Sequence, residues 1–488
     1  MEVVWRDTLD LSYECIVVEG QQGLDQGVMD QGLKDVMAFE EVLEGPWEEP
    51  YKVMLYRLPR KEWPNKLIRI FYERAEIDYG CYQKSLGASV QLAEQAGIES
   101  VLVWTRTRGH EDNPDEWALQ AGEAVILAQY KFDAYLTQAP KNGLKRVGIY
   151  YEKAVDEQAF REKWEERIGL AELVCAARDW VNGPANHMTP GALALKAEHL
   201  GQTYGFEVEI LDESHILDLK MEAYYAVGKG SEEPPRLIVM RYFNDRDREK
   251  EVLGLVGKGI TYDSGGLNIK TPAGMKNMRA DMGGAAAVLG AMAALAKSKA
   301  KVNVVAVIPA CENMISGRSY KIGDTISSMA GKTIFIESTD AEGRLTLADG
   351  VTYLIQKEGV NRLVDIATLT GAAGIALGHA ATPVLSNDDV FFEKLEQAAA
   401  KSNEKIWRMP IFEDYKPLLK SKIADLTNLP DHPGMITAGM FVGEFVEGKP
   451  WIHIDIAATS WADKKTVLEA EGATGVGVKM LYYLIKAI

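Results

Sequence analysis

Val252-Leu-Gly-Leu-Val-Gly-Lys-Gly-Ile-Thr-Tyr-Asp-Ser-Gly-Gly-Leu-Asn-Ile-Lys270 starts apolar and ends glycine-rich. Its first part, Val252 to Val256, reads as a strand that runs straight into Gly257-Lys-Gly. Downstream, Gly283 to Lys297 has a helical pattern full of small residues, so neighbouring elements can approach closely. The apolar runs Val302 to Pro309 and Asn361 to Thr368 are typical of central strands. Upstream, Phe206 to Leu211 and Arg236 to Tyr242 read as strands, and Thr189 can cap a helix whose first residue is Pro190. Strands alternating with helices predict an α/β fold with a mixed, mostly parallel central sheet.

The remainder of the chain predicts a second, smaller α/β domain at the N-terminus. Cys15 to Val18, Lys52 to Tyr56, Lys66 to Tyr72, Ser100 to Trp104 and Lys145 to Tyr151 are strand-like. Ser85 to Ala96 and Trp117 to Tyr130 are helical in pattern. A long helical pattern from Asp156 to Trp180 ends where Gly183 and Pro184 break the period. The expected division is an N-terminal domain over 1–155, a connecting helix over 156–180 and a second domain over 181–488.

With 488 residues, two or more domains are expected, and a hydrophobic fraction of 47% is ample for their cores. A net charge of −17 argues against nucleic acid as the main partner, because phosphate calls for a basic surface. Glu40, Glu41, Glu44, Glu48 and Glu49 add to that acidic balance. Four cysteines without CxxC spacing fit a reducing compartment. Met1-Glu-Val-Val-Trp-Arg-Asp is not the start of a signal peptide, and no apolar run is long enough to span a bilayer. The expectation is a soluble cytoplasmic protein.

The chemistry gathers in three places. The glycine-rich stretch carries Lys258, Asp263 and Lys270; Met278-Arg-Ala-Asp281 carries Asp281; Ser338-Thr-Asp-Ala-Glu-Gly-Arg-Leu345 carries Asp340, Glu342 and Arg344. In extended conformation Asp340, Glu342 and Arg344 would share one face. Each acid has a plainer reading: an acidic turn for Asp340, a simple turn for Asp263, a helix cap for Asp281. A phosphate-binding loop is excluded, since the required glycine five residues before Gly257 is Val252 and the residue after Lys258 is Gly259. There is no His-Glu-x-x-His and no Gly-x-Ser-x-Gly, and the seven histidines are dispersed, His453 reading as a core residue. What remains is a carboxylate-plus-lysine set, which suits two divalent ions about 3.5–4 Å apart sharing a water or hydroxide. A lysine ligates only as the neutral amine, so metal binding and burial must displace a proton whose ordinary pKa is about 10.4.

These residues closely resemble the leucyl aminopeptidase, or cytosol aminopeptidase, family of two-metal peptidases. The family signature Asn-Thr-Asp-Ala-Glu-Gly-Arg-Leu reads here Ser338-Thr-Asp-Ala-Glu-Gly-Arg-Leu345, with the upstream ladder of Lys258, Asp263, Lys270 and Asp281 at matching spacing. Ala177 to Pro190, Gly228 to Ser231, Ala367 to Ala372, Ala424 to Asn428 and His453 to Ala457 extend the likeness over 156–488. Ser338 for Asn and Gly183 for Thr depart from the pattern. The resemblance implies release of N-terminal residues, leucine and other apolar ones favoured, from peptide substrates. It implies that Asp263 and Glu342 bridge two divalent ions, Zn or Mn, with Lys258 and Asp281 at the tighter one and Asp340 at the exchangeable one. Lys270 would stabilise the oxyanion. Arg344 would hold a bicarbonate that accepts the proton of the attacking water. Leu369 and Gly371 would offer backbone groups to substrate. Met278 and Ala457 would border the first side-chain pocket, with Ser460 a further candidate. A homohexamer is implied as well. Another two-metal hydrolase, such as a phosphoesterase, a binding protein on an inactive scaffold, and a DNA-binding accessory protein on the same scaffold stay as alternatives.

Overall fold

In the computed structural model the described residues are 1–6, 12–21, 40–48, 51–57, 66–72, 77–105, 113–138, 143–151, 156–248 and 251–488. They divide into one unit of Met1–Glu172 with Lys464–Glu471, and another of Leu173–Asp463 with Gly472–Ile488. Glu49 of the acidic run, and Val155 at the expected end of the first domain, lie outside the described residues.

The first unit holds a seven-stranded sheet. Its strands are β1 (Glu2–Arg6), β2 (Cys15–Gln21), β3 (Glu40–Glu48), β4 (Tyr51–Arg57), β5 (Lys66–Tyr72), β6 (Ser100–Trp104) and β7 (Arg146–Tyr150), in the order β1-β7-β6-β2-β5-β4-β3. Only β4 runs antiparallel to its neighbours. Helices α1 (Tyr79–Gln95) and α2 (Pro114–Ala128) cover it. The chain patterns foresaw five of these strands and both helices. They missed β1 and β3, in which polar or charged residues interrupt the apolar pattern. Asp78 starts α1 earlier than periodicity suggests, its Oδ1 accepting from the Cys81 N–H at 2.7 Å. Val467 and Leu468, far along the chain, pack into this unit's core.

Helix α3 (Glu157–Asn182) contains the boundary between the units. The second unit continues with α4 (Pro190–Tyr204), β8 (Glu207–Leu211), α5 (Glu213–Asp218), α6 (Glu222–Gly228), β9 (Arg236–Phe243), β10 (Leu253–Gly257) and β11 (Gly259–Asp263). Then come α7 (Pro272–Met275), α8 (Gly283–Lys297), β12 (Asn303–Asn313), β13 (Thr325–Ser327), β14 (Thr333–Phe335) and α9 (Gly343–Gln356). The chain closes with β15 (Arg362–Ala367), α10 (Gly371–Leu377), β16 (Thr382–Ser386), α11 (Asp389–Ser402), β17 (Ile406–Arg408), β18 (Leu426–Thr427), α12 (Gly434–Gly443), β19 (Trp451–Asp455), β20 (Trp461–Ala462), β21 (Gly472–Ala473) and α13 (Val478–Lys486). Thr189 caps α4 as its sequence predicts, accepting from the Ala192 N–H at 3.2 Å.

The large sheet has the order β17-β16-β19-β15-β10-β12-β9-β8, with β11 also paired to β12. Its centre, β19-β15-β10-β12, is parallel. The chain leaves β10 for β12 on one side, then returns through α9 to β15 on the other. That reversal is a topological switch point, and ligands in such sheets bind beyond the carboxyl ends of the strands there. Lys258 stands at that end of β10.

Helix α8 explains its small residues. Every residue from Gly283 to Ala296 is buried. A Cβ on Gly284 would lie 2.0 Å from the Ile366 carbonyl oxygen and 3.0 Å from the Lys258 nitrogen, so only glycine lets the helix start against the strand ends. The Ala285 N–H donates to the Lys258 carbonyl at 2.9 Å, and the Lys258 N–H to Ile366 at 3.0 Å. Helix, β10 and β15 are thus locked together beside the lysine.

Gly284→Ala should therefore destabilise the protein by about 1–3 kcal/mol or more, since backbone rather than a flexible side chain must yield. Gly317→Ala, whose Cβ would meet nothing within 4 Å, should stay within about 0.5 kcal/mol. Denaturant midpoints of the two variants check this, and equal midpoints would refute the close-approach argument.

Candidate active site

The acidic stretch does not run extended. Thr339 and Asp340 form a turn, Glu342 has α-region backbone (φ −80°, ψ −37°), and α9 begins at Gly343. The shared strand face foreseen for Asp340, Glu342 and Arg344 is thus corrected: a turn and a helix start bring the acids inward instead. Asp263, Asp340 and Glu342 each place a carboxylate oxygen within 4.8 Å of the others. Gly343 leaves room for the lysine, since a Cβ there would lie 2.5 Å from Lys258 Cε.

Two lysines hold the acids in two groups. Lys258 Nζ lies 2.7 Å from Asp281 Oδ1 and 2.9 Å from Glu342 Oε1, and donates to the Thr368 carbonyl at 2.9 Å. Lys270 Nζ lies 2.8 Å from Asp263 Oδ2 and 2.5 Å from Asp340 Oδ1. Lys258, Asp263, Asp281 and Glu342 are buried; Asp340 is the open member, its side chain 36% exposed.

The plainer readings fare differently. Asp281 does not cap α8: Met282 precedes that helix and makes no side-chain cap, while Asp281 closes the short 3-10 turn Met278–Ala280 through its backbone. Asp281 Oδ1 instead accepts from Thr368 Oγ1 at 2.8 Å. Asp263 does make the local turn bond, accepting from the Gly265 N–H at 2.9 Å, and it also serves Lys270 and Asn313. His453 is a core residue, its Nδ1 2.6 Å from Asp365 Oδ1.

Charge is unevenly matched. Burial, joined by Glu342, pushes the Asp263 carboxyl up to about 6 despite the two lysines. Burial drives Asp281 well above the usual carboxylate range, with Lys258 opposing. Burial also acts on Glu342, but Lys258 and Lys270 outweigh it and hold it below its ordinary value. Burial works against the Lys258 ammonium, and Asp281, Glu342 and Asp263 outweigh it. Burial alone therefore does not neutralise Lys258, contrary to its share in the sequence argument. Acids that ionise reluctantly, and an Asp281 Oδ2 buried with no hydrogen-bond partner, fit a site for hard or borderline cations.

Arg344 lies in the first turn of α9, buried, with Nε unpartnered. Burial lowers it to about 10 against the pull of Glu342 and Asp455. A buried guanidinium with unmet donors suits an anion. Leu369 follows β15, and its N–H is already donated to Asp455 at 3.1 Å, so its carbonyl is the group left to offer. Gly371 opens α10, where backbone N–H groups lack intrahelical partners. Ala457 and Met278 are half-buried, and Ser460 is buried beside Gly283.

Several residues that shape this arrangement were not foreseen as site residues. Thr339 stitches the glycine-rich loop to the acidic turn: its Oγ1 donates to Gly265 at 2.7 Å and accepts from the Asn268 N–H at 2.8 Å. Asn313 Nδ2 donates to Asp263 at 2.8 Å and to the Thr339 carbonyl at 2.9 Å. Fully buried Asn428 clamps the acidic turn, donating to Ser338 at 2.6 Å and accepting from the Glu337 N–H at 2.9 Å. The sequence signal for Asn313 is a polar residue closing an apolar strand, and Asp455 adds to the same signal its place in the family-like stretch His453 to Ala457.

Comparisons with known proteins point to one family. The profile described as "Cytosol aminopeptidase family, catalytic domain" matches residues 175–482. The chain is 51% identical over 365 residues to a "Probable cytosol aminopeptidase" of Clostridium perfringens (strain 13 / Type A), covering 74% of each. It is 44% identical over 376 residues to one of Bacillus subtilis (strain 168), covering 76% of this chain and 74% of that one. Its structure resembles the "Bottromycin maturation enzyme BotP" with TM-score 0.84 and 28% identity, over 98% of this chain and 99% of that one. The same enzyme "in complex with Mn" aligns with TM-score 0.84 at 27% identity, with the same coverage.

Removing the Asn428 clamp should cost about 1–3 kcal/mol, because buried backbone groups lose their partners. Asn428→Ala should lower the denaturant midpoint and speed amide exchange at Glu337 and Ser338. Unchanged exchange at both would mean the acidic turn holds itself.

Proposed function

Because the chain belongs to the cytosol aminopeptidase family, we propose that it is a metal-dependent aminopeptidase that releases N-terminal residues, leucine and other apolar ones favoured, from peptides. The observation that carries this reading is the meeting of Asp263, Asp281, Asp340 and Glu342 around Lys258 and Lys270. Asp263 and Glu342 would hold two divalent ions, Zn or Mn, in common. Lys258, as the neutral amine, and Asp281 would serve the tighter of the two, and the more exposed Asp340 the exchangeable one. When bound, the ions supply Lewis-acid chemistry, lowering the pKa of water and polarising the scissile carbonyl.

Lys270 keeps its ammonium near the developing oxyanion and stabilises the transition state more than the ground state. Arg344 anchors a bicarbonate, a group whose chemistry is that of a proton acceptor. The Leu369 carbonyl and the Gly371 N–H orient the peptide backbone. Met278 and Ala457 border the first side-chain pocket, with no charge from either, which supports a preference for apolar residues. The profile match supports a catalytic domain over 181–488, joined by the helix at 156–180 to an N-terminal domain over 1–155. Family likeness likewise supports a cytoplasmic homohexamer. Among the described residues no helix is long and apolar enough to cross a membrane. The net charge of −17 gives no support to a nucleic-acid role.

Prolonged chelation should abolish hydrolysis of leucine amide, and Mn or Zn should restore it; full activity in demonstrably metal-free protein overturns the reading. The lysines should fail differently. Lys258→Ala should lose bound metal and recover in part at high Mn. Lys270→Ala should keep its metal and lose about 10²–10³ in turnover. Metal analysis beside turnover at low and high Mn separates the two, and the reverse pattern would mean that their roles are exchanged.

A further inference from the structure

Asp455 closes β19 and is fully buried. Its Oδ1 accepts from the N–H groups of Leu369 (3.1 Å), Thr370 (3.4 Å) and Ala457 (3.1 Å). Its Oδ2 accepts from Thr370 Oγ1 at 2.7 Å. Thr370 in turn caps α10, its Oγ1 accepting from the Ala373 N–H at 3.2 Å. Ala367 and Asp455 are register partners at the ends of the parallel strands β15 and β19. One carboxylate therefore fastens together the two loops that leave those strands.

We propose that Asp455 is a positioning residue that sets the substrate-facing loops against each other. This rests on the aminopeptidase reading, in which Leu369 and Gly371 hold the peptide backbone and Ala457 borders the first side-chain pocket. With four donors converging on two oxygens, Asp455 aims the Leu369 carbonyl away from itself, fixes the N-terminus of α10 at Gly371, and holds the pocket rim at Ala457 in the same frame. A carboxylate suits the place because every contact arrives as a donor. An amide of the same shape has one acceptor oxygen, and its NH₂ meets a hydroxyl that must turn. The negative charge also faces Arg344, whose guanidinium it favours. Preorganisation of this kind acts on binding geometry, since small misplacements of orienting groups cost large factors in rate.

The test uses the full chain, Mn-loaded, with leucine amide and alanine amide. Asp455→Asn is expected to lose at least about ten-fold in kcat/KM, carried mainly by KM, with bound metal unchanged and the preference for leucine over alanine narrowed. Amide exchange at Leu369, Thr370 and Ala457 is expected to quicken. Thr370→Val, which removes the contact to Oδ2 together with the α10 cap but leaves the three backbone donors on Oδ1, should shift KM in the same direction by less, and Thr370→Ser should recover most of that loss. The proposal is overturned if both Asp455→Asn and Thr370→Val keep wild-type KM and exchange rates. It is also overturned if Asp455→Asn loses metal in step with activity, which would place its action on the metal site. If the wild-type chain splits neither amide, the aminopeptidase reading fails, while the exchange rates still decide whether Asp455 sets these loops.

Discussion

Four carboxylates and two lysines share one largely buried volume, and that crowding constrains everything around it. Burying an ionised carboxylate is costly unless it is paired and hydrogen-bonded. Lys258 and Lys270 each join two acids, so every acid has a cationic partner but every cation is shared. The shortfall appears in Asp263, raised to about 6, and in Asp281, which burial also pushes well above its ordinary value. Such a site attracts further positive charge. It also needs a rigid frame, because like charges this close would otherwise drift apart. Thr339, Asn268, Asn313 and Asn428 supply that frame through backbone contacts.

The sheet makes the crowding possible. Parallel central strands deliver their carboxyl ends to one edge, and the reversal at β10 opens a crevice there. Lys258 leaves β10, Asp263 ends β11, Asn313 ends β12, Thr368 follows β15 and Asp455 ends β19. Helix α8 must then approach closely enough to set Asp281 beside Lys258, which its glycine start permits. Helix α9 adds Glu342 at its N-terminus, where the peptide dipoles favour a negative charge. Each acid is fixed by a different element, so the site records the tertiary fold rather than any local motif.

That is why the sequence revealed some parts and hid others. The identities of the acids and lysines were legible because they crowd three short stretches. So were the central strands, whose apolar runs are long, and helix α8, whose bounds matched its pattern. The route by which Asp340 and Glu342 converge was not legible: two-residue spacing fits a strand, yet Thr339 and Asp340 form a turn under the Asn428 clamp, which bonds Ser338 from 90 residues away in sequence. The capping role open to Asp281 failed because Thr368, 87 residues on, takes its oxygen. Asp455 was hidden for the same reason, its donors at Leu369 and Thr370 lying 86 and 85 residues back. Period and propensity see neighbours in sequence, and these partners are neighbours only across the sheet.

The buried acids of the second unit then sort by how their oxygens are used. Asp349 accepts from the Met329 and Tyr224 N–H groups, one on each oxygen. Asp365 gives one oxygen to the Trp451 indole N–H and the other to His453. Asp455 takes four donors. In all three, both oxygens are engaged by fixed groups of the fold, so these acids brace structure. The acids around Lys258 and Lys270 differ: they share two lysine ammonium groups among four carboxylates, and Asp281 Oδ2 has no partner. An oxygen buried without a donor costs free energy unless something else completes it. Unmet coordination, more than burial or charge alone, is what separates the acids that hold the fold from those poised to hold a cation.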